Sequence, residues 1–253
     1  MKKPIIGIIP TIKLKRNDNP YDDIYKFVDS YSSRIIEQNA MPIGLLLKEG
    51  SLDKDILDIC DGFLFPGGNK VEKIHYEVLE YAIKKNKPVL GICLGMQAMA
   101  CYSCLKEKAN KRNIKPSEEN LMKLRKELQE DNIYMLEQLH PGHIHGEKIM
   151  NEEVELTREN LLSSIHPITI LSNTKLYECF KTNSMNIISM HSYRIYSCGP
   201  EFKVSATAED GTIEAIEATN NNLWIVGVQF HPELEKDNLL LTSFIEETKK
   251  RIM

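Results

Sequence analysis

A cysteine between small residues could act as a nucleophile. The run GICLGMQ, residues 91–97, joins an apolar strand pattern over residues 88–93 to a helical pattern. A sharp turn from strand to helix would lift the Cys93 side chain out of the sheet, in the geometry of a nucleophile elbow. The turn would also place the thiol at a helix N-terminus, where the macrodipole favours the reactive thiolate. Taken alone, the pattern fits a buried core cysteine about as well.

A histidine and a glutamate follow a second strand pattern, far along the chain. In GVQFHPE, residues 227–233, His231 ends an apolar run and Glu233 lies two residues further on. In an extended segment residues i and i+2 point the same way, so the carboxylate could orient an imidazole that takes the thiol proton. By itself, a His-x-Glu at a strand end is more often a surface pair.

A glycine pair follows a third strand pattern, in the run PGGN over residues 66–69. The backbone N–H of Gly67 or Gly68 could turn toward a site and, together with that of Leu94, stabilise a tetrahedral oxyanion. An ordinary glycine turn explains this motif equally simply when it is considered alone.

Three histidines within six residues, His140, His143 and His145, could bind a metal. No neighbouring cysteine or carboxylate completes a ligand set, so we favour a loop near the mouth of the active site. Cys101 and Cys104 form a C-x-x-C without a second pair at zinc spacing, and all cysteines are predicted to be free thiols. The sequence therefore predicts no metal and no other cofactor.

The composition excludes several classes of protein. The chain has 253 residues and a formal net charge of -4, which suits a single α/β domain over residues 1–253 and lacks the basic surface of a nucleic-acid binder. No apolar run approaches the roughly 20 residues that cross a bilayer. Pro4 and Pro10 interrupt the apolar N-terminal stretch, which we interpret as a first strand rather than a signal peptide. A cytoplasmic location is expected.

Strand and helix patterns alternate through the first half of the chain. Strands are predicted at 4–10, 42–47, 62–68 and 88–93, and helices at 24–39, 52–60, 71–85 and directly after Cys93. This alternation predicts a mostly parallel central sheet with helices on both faces. The three motifs would then lie at strand ends, where such folds place their sites.

The second half is organised differently. Residues 106–132 are highly charged, with a narrow stripe of Leu121, Leu124 and Leu128, and predict an inserted surface helix or helical pair. Such a segment could serve as a lid or as a homodimer contact. Later strand patterns, with Asp-Gly at 210–211 between two of them, predict added antiparallel strands before a last helix at 237–251.

The three motifs together resemble those of class I glutamine amidotransferases. Within that superfamily the chain is most similar to the γ-glutamyl-γ-aminobutyrate hydrolase (peptidase C26) family. This similarity rests on the opening KPIIGI, on SMH at 189–191, and on VSATAEDGTIEAIE leading into GVQFHPE. It covers nearly the whole chain apart from about 106–132. The resemblance implies a flavodoxin-like class I glutamine amidotransferase fold.

The resemblance also implies roles for particular residues. Cys93 would be the nucleophile, His231 the general base and Glu233 the group that orients it. The oxyanion amides would come from Gly67 or Gly68 and from Leu94, and the contacts to the glutamyl group from Gln97, Ser189, Met190 and His191. Leu94 departs from many γ-glutamyl hydrolases of the family, which carry arginine there, and makes the turn more like that of a general glutaminase.

The implied reaction is hydrolysis of the γ-glutamyl amide bond of a small γ-glutamyl amine, through a thioester on Cys93 and without a cofactor. Two alternatives remain open. The chain could be a glutaminase subunit that delivers ammonia to a separate synthetase, or a non-catalytic binding domain. For the γ-glutamyl hydrolase, the expected partner is only the small substrate, with no nucleic acid and no membrane.

Overall fold

A nine-stranded sheet forms the centre of the computed structural model, which describes residues 2–13, 24–47, 52–131, 135–139 and 164–252. The strands are β1 Ile5–Ile8, β2 Thr11–Lys13, β3 Ile24–Lys26, β4 Met41–Gly44, β5 Gly62–Phe65, β6 Val89–Ile92, β7 Leu136–Gln138, β8 Ile165–Ile170, β9 Ser184–Ile188, β10 Tyr193–Ile195, β11 Phe202–Ala208, β12 Ile213–Ala218 and β13 Ile225–Val228. The helices are α1 Asp29–Glu37, α2 Lys54–Ile59, α3 Lys73–Lys85, α4 Leu94–Lys111, α5 Glu118–Glu130, α6 Lys175–Phe180 and α7 Leu239–Arg251.

The sheet has a parallel part and an antiparallel part, in the order β4-β1-β5-β6-β13-β12-β11-β8-β9. The first five strands pair in parallel, and each later pairing is antiparallel. Because the direction alternates after β13, β11 and β9 run with the five parallel strands, and seven of the nine share one direction. The predicted α/β class, with a mostly parallel sheet and added antiparallel strands, is confirmed.

Parallel pairing brings the carboxyl ends of three buried strands to one edge. β5, β6 and β13 are neighbours, and every residue of each is buried. The chain leaves these strands at the PGGN turn, at Cys93 and at the segment leading to His231, respectively. Their spacing of about 4.8 Å therefore brings three motifs distant in sequence to a common edge.

The predicted helix at 24–39 is only partly correct. Residues Ile24–Lys26 form β3, which pairs antiparallel with β2, and α1 begins at Asp29 after the extended N-cap residue Val28. Ile24, Tyr25 and Phe27 are β-branched or aromatic residues, which suit a strand when a partner strand is present. The helical spacing of the apolar residues hid this pairing, because the partner strand, Thr11–Lys13, is only three residues long and gives no strand pattern of its own.

The charged segment at 106–132 is helical, as predicted, but it is not a separate pair of helices. Its first residues continue the last turn of α4 to Lys111, and only α5 is new. Ser117 caps α5, because its side chain accepts a hydrogen bond from the Asn120 N–H. The leucine stripe is at most 1% exposed and packs in the core cluster with α3 and α4. The protein's own core thus covers the stripe.

None of the described helices combines the length and apolar character needed to span a membrane. The predicted hairpin at Asp210-Gly211 is confirmed, since β11 and β12 pair across it and Gly211 has a φ of 82°. The histidine run at 140–145 lies outside the described residues.

Candidate active site

Cys93 occupies a strained turn between β6 and α4. Its backbone has φ 51° and ψ -105°, a conformation that costs a non-glycine residue on the order of 1–3 kcal/mol. The Cys93 N–H donates to the Val228 carbonyl at 2.7 Å, which ties the turn to β13. A methyl group on Gly95 would lie 2.2 Å from the Phe65 carbonyl oxygen, so only glycine lets α4 start this close to β5. The expected elbow geometry is present.

His231 and Glu233 form a buried hydrogen-bonded pair. The His231 Nδ1 and Glu233 Oε1 atoms are 2.7 Å apart, and the two side chains are 8% and 3% exposed. The sequence suggested an extended segment here, and this expectation is wrong. Residues Pro232–Leu234 form a 3-10 turn, which folds the carboxylate back onto the imidazole. The His231 N–H donates to the Ile188 carbonyl at 3.1 Å, so β9 holds the start of this turn.

The charge of this pair favours a protonated imidazole. Burial lowers the pKa of His231, but the charge of Glu233, its hydrogen bond and the nearby Cys93 outweigh burial and hold that pKa well above its usual range. His231 Nε2 is buried and makes no hydrogen bond with a described residue. The Cys93 sulfur lies 4.0 Å from the Met190 carbonyl oxygen. The geometry thus provides a thiol beside an imidazole with one nitrogen available for proton transfer.

The two glycines of the PGGN turn differ in their surroundings. The Gly67 N–H donates to the Tyr31 hydroxyl at 3.0 Å. A methyl group on Gly67 would lie 3.2 Å from Cε1 of His231, so this residue forms a wall beside the imidazole. Gly68 faces the elbow, since a methyl group there would lie 3.0 Å from Cδ2 of Leu94. No described residue accepts a hydrogen bond from the Gly68 N–H.

Tyr31, which sequence reasoning missed, links these pieces from α1. Its hydroxyl accepts the Gly67 N–H, so its own proton is left for another acceptor. Burial raises the pKa of the Tyr31 phenol, and the charge of Glu233 raises it further. Glu233 Oε2 is buried and accepts no hydrogen bond from the described residues. Arg34, one turn along α1, donates from Nε to the Glu233 carbonyl at 3.1 Å.

A cavity of about 440 Å³ opens in front of the thiol. Its walls include Gly68, Leu94, Gln97, Met190 and His191, besides Cys93. A larger groove of about 690 Å³ lies along α6 and α7 and contains none of the predicted site residues. We therefore associate the chemistry with the smaller cavity, because the nucleophile lines it.

The four residues implied to hold the substrate are placed unequally. The Gln97 amide nitrogen donates to the Tyr193 carbonyl at 3.0 Å and to Gln229 Oε1 at 3.1 Å. His191 Nδ1 lies 2.9 Å from the Tyr193 carbonyl, and its Nε2 lies 3.6 Å from Glu214 Oε1. Ser189 is completely buried and is not part of the cavity wall. Its side chain is therefore placed for a structural role.

The described residues contain no group of three or more histidine, cysteine or acidic side chains arranged to hold a metal ion. The six cysteines, all within the described ranges, are free thiols, as predicted. The three histidines at 140, 143 and 145 lie outside those ranges, so the loop interpretation stays a prediction.

Comparison with known proteins identifies relatives of this chain. A glutamine amidotransferase-like protein of Rickettsia prowazekii is 28% identical over 270 residues, which cover 94% of this chain and 93% of that protein. CTP synthase of Methanosphaera stadtmanae is 29% identical over 210 residues, which cover 78% of this chain but 36% of the synthase.

Solved structures show the same fold at low sequence identity. The glutaminase domain of Trypanosoma brucei CTP synthase, solved with bound acivicin, matches with a TM-score of 0.62 at 15% identity, over 98% of this chain and 95% of that one. A glutamine amidotransferase of Thermotoga maritima matches with a TM-score of 0.53 at 14% identity, over the whole of this chain and 87% of that one. The predicted glutamine amidotransferase fold is confirmed.

The Peptidase C26 family model matches residues 4–79 and 72–233, a region that includes the PGGN turn, the Cys93 elbow and the His231–Glu233 pair. This chain belongs to the Peptidase C26 family.

Proposed function

We propose that residues 1–253 form a single domain that hydrolyses the γ-glutamyl amide bond of a small γ-glutamyl amine. The observation that carries the proposal is the 2.7 Å contact between His231 Nδ1 and Glu233 Oε1, beside a thiol held at a strained turn. This is the arrangement of a nucleophile, a base and a group that orients the base. The membership in Peptidase C26 supports the same reaction class.

In the first half-reaction, the Cys93 thiolate attacks the γ-carbonyl carbon and the carbonyl π electrons move onto the oxygen. The N–H groups of Gly68 and Leu94 stabilise this oxyanion, because the Gly67 N–H is already donated to Tyr31. His231 then gives its Nε2 proton to the leaving nitrogen as the carbon–nitrogen bond breaks. The free amine departs, and the glutamyl group remains as a thioester on Cys93.

In the second half-reaction, water enters from the cavity and His231 takes one of its protons. The hydroxide adds to the thioester carbon, the same amides stabilise the oxyanion, and the thiolate leaves. Glutamate is released, and the imidazolium–thiolate pair is restored. Glu233 keeps its charge throughout and stabilises the imidazolium, which the first half-reaction consumes and the second restores.

Gln97, Met190 and His191 would contact the glutamyl group. The Gln97 amide nitrogen is fixed by two acceptors, so the side-chain oxygen can face an ammonium group of the substrate. The Met190 carbonyl lies close to the Cys93 sulfur and is therefore close to the reacting bond. Ser189 would act only through its backbone, because its side chain is buried away from the cavity.

The runner-up function is a glutaminase subunit that delivers ammonia to a separate synthetase. It is favoured by Leu94 after the nucleophile and by the 29% identity to the matching part of a CTP synthase. This function predicts low glutamine hydrolysis by the chain alone and a partner-dependent increase. A non-catalytic binding domain predicts neither turnover nor a reactive Cys93.

The proposal is tested by assaying the purified chain against glutamine and a panel of γ-glutamyl amines, with Cys93→Ala as the control. We expect the chain alone to release the amine from at least one γ-glutamyl amine faster than it releases ammonia from glutamine. The runner-up would be favoured if glutamine were the one amide hydrolysed and if its hydrolysis required an added synthetase. Absence of turnover together with an unreactive Cys93 would favour the binding domain.

A further inference from the structure

We propose that Arg125, on α5, binds a carboxylate of the substrate in the Cys93 cavity and thereby sets the selectivity of the reaction. The inference rests on the proposed function and deepens it. It also assigns a function to the charged helix α5, which the motifs at the carboxyl ends of β5, β6 and β13 do not explain.

The packing of α5 directs Arg125 toward the cavity. Arg125 lies four residues after Leu121 and three before Leu128, so it shares a side of the helix with the buried leucine stripe. Its side chain is half-buried and lines the cavity that Cys93 also lines. Nη1 donates to the Val71 carbonyl at 3.1 Å, just after the PGGN turn. One nitrogen therefore holds the guanidinium in place and leaves other N–H groups for a ligand.

The charges around the cavity favour an anion. Lys70 and Arg125 line it, and no carboxylate does so among the residues that the structure describes. Lys70 is mostly exposed and pairs with Glu72 at 2.8 Å. No described acidic side chain lies within salt-bridge distance of Arg125. Of the two cations that line the cavity, Arg125 is therefore the one without an acidic partner among the described residues. A guanidinium suits a carboxylate, because it can form two parallel hydrogen bonds with it.

The surroundings of Arg125 strengthen this preference. Val71, Met135 and Leu136 give the same cavity apolar walls, which exclude water and increase the strength of a charge interaction. Burial lowers the pKa of the neighbouring His75 to about 4, and the charge of Arg125 lowers it as well. His75 is therefore neutral near pH 7 and does not compete for the anion.

Two carboxylates of a γ-glutamyl amide could reach Arg125. One is the α-carboxylate of the glutamyl group, and the other is a carboxylate carried by the released amine. Arg125 would bind either carboxylate through the same hydrogen bonds, so the two possibilities are distinguished by substrates that lack one carboxylate or the other. γ-Glutamyl-β-alanine and γ-glutamyl-propylamine differ in the amine carboxylate, whereas glutamine and 4-aminobutanamide differ in the α-carboxylate.

The test compares Arg125→Gln with the wild type on these four amides. Lys126→Gln is the control, because it removes one positive charge from the solvent side of the same helix, where Lys126 is 79% exposed. We expect Arg125→Gln to lower kcat/KM roughly 10- to 100-fold for substrates with the bound carboxylate, the range of a charge-assisted hydrogen bond. The control should change every kcat/KM less than about twofold.

Loss only with γ-glutamyl-β-alanine would assign the carboxylate of the amine. Equal losses with both γ-glutamyl amines and glutamine, but none with 4-aminobutanamide, would assign the α-carboxylate. The same loss with all four amides, or no loss with any, would overturn the inference. Thermal unfolding of both variants checks that the fold is intact.

A binding measurement separates this inference from the proposed function. L-Glutamate, which carries the α-carboxylate, and γ-glutamyl-β-alanine, which also carries the carboxylate of the amine, should slow the alkylation of Cys93 by iodoacetamide. Arg125→Gln should weaken the protection by at least one of them about tenfold or more. If no amide is hydrolysed but this weakening is found, the proposed function fails and the carboxylate site stands. If amides are hydrolysed and neither kcat/KM nor protection responds to Arg125→Gln, the carboxylate site fails alone.

Discussion

The catalytic edge and the rim of the cavity are built in different ways. At the edge, Gly67, Cys93 and His231 each follow a buried strand, and backbone hydrogen bonds tie the Cys93 turn to β13 and the His231 turn to the end of β9. At the rim, α5 and the two-stranded β7–β10 ribbon supply the wall. That ribbon is joined by an Arg194–Glu137 ion pair of 2.6 Å whose side chains are about 30% exposed.

This difference separates chemistry from selectivity. The edge cannot shift without disturbing core strands, so the positions of the nucleophile and base follow from the fold itself. The rim is attached through the leucine stripe of α5 and through a short ribbon, so its polar residues can change while the thiol stays in place. Substitutions at the edge should therefore reduce the chemical step, and substitutions at the rim should change the choice of substrate.

The largest effect is expected from Cys93→Ala. Removing the sulfur removes covalent catalysis, and alanine fits the same turn, so hydrolysis should fall to the background rate while the thermal unfolding temperature changes little. Cys104→Ala, which removes a partly exposed thiol on the same helix, is the matched control and should keep most of the activity. Near-normal turnover by Cys93→Ala would show that another group is the nucleophile.

A smaller loss is expected at the two other members of the triad, in a fixed order. His231→Ala should lower kcat about 10²- to 10⁴-fold, because the imidazole moves a proton in both half-reactions. Glu233→Gln should cost less, because the carboxylate only orients the ring and stabilises its charge. An equal or larger loss at Glu233 would contradict these roles.

The pH profile of Glu233→Gln gives a second check on the same pair. Glu233 is a main reason that the pKa of His231 stands above its usual range, so the amide should lower that pKa. The His231 imidazole must be protonated to give its proton to the leaving amine. The alkaline limb of the kcat/KM profile should therefore move to lower pH in the variant, and an unchanged limb would mean that another group carries the proton.

Tyr31→Phe should have a moderate effect. Phenylalanine keeps the packing on α1 but removes the hydroxyl that accepts the Gly67 N–H. The turn beside His231 would lose its anchor, and we expect kcat to fall roughly tenfold with little change in KM, the size of one lost hydrogen bond. Tyr102→Phe, which removes a hydroxyl that contacts Glu80 away from the cavity, is the control. Equal effects of both substitutions would argue for a general packing role.

Leu124→Ala should have the smallest effect on the chemical step. The side chain is 1% exposed in the core cluster, so its truncation should lower the free energy of unfolding by about 2–5 kcal/mol. The backbone hydrogen bonds that tie the Cys93 and His231 turns go to β13 and β9 and not to α5, so the alkylation rate of Cys93 should stay within about threefold of wild type below the unfolding transition. A parallel loss of thiol reactivity would show that the position of Cys93 depends on α5, and would contradict the distinction between the edge and the rim.

The sequence predicted the edge better than the rim, for a physical reason. The turns at Cys93 and at 66–69 are local, so residue types and spacing identify them. The spacing of His231 and Glu233 pointed to a pair as well, although through an extended segment instead of the 3-10 turn that the structure has. Tyr31 acts through a contact with Gly67 that spans 36 residues, and on its helix it has the pattern of an ordinary core residue. Arg125 is one of many charges on α5, and only the packing of the helix selects which charge faces the cavity.

The strand pairing of Ile24–Lys26 was missed because its partner, Thr11–Lys13, is only three residues long and gives no strand pattern of its own. By contrast, the alternation of strands and helices was enough to predict the parallel part of the sheet, since crossover connections leave few arrangements.

The central claim is that Cys93 is a nucleophile activated by His231 and Glu233, and one labelling measurement tests it directly. The intact protein is incubated with a substoichiometric γ-glutamyl-like electrophile, and the modified residue is found by peptide mass spectrometry. We predict a single site of modification, Cys93, labelled at least about 10²-fold more slowly in His231→Ala. Modification spread over the other cysteines, or labelling of Cys93 at the same rate without His231, would contradict the account.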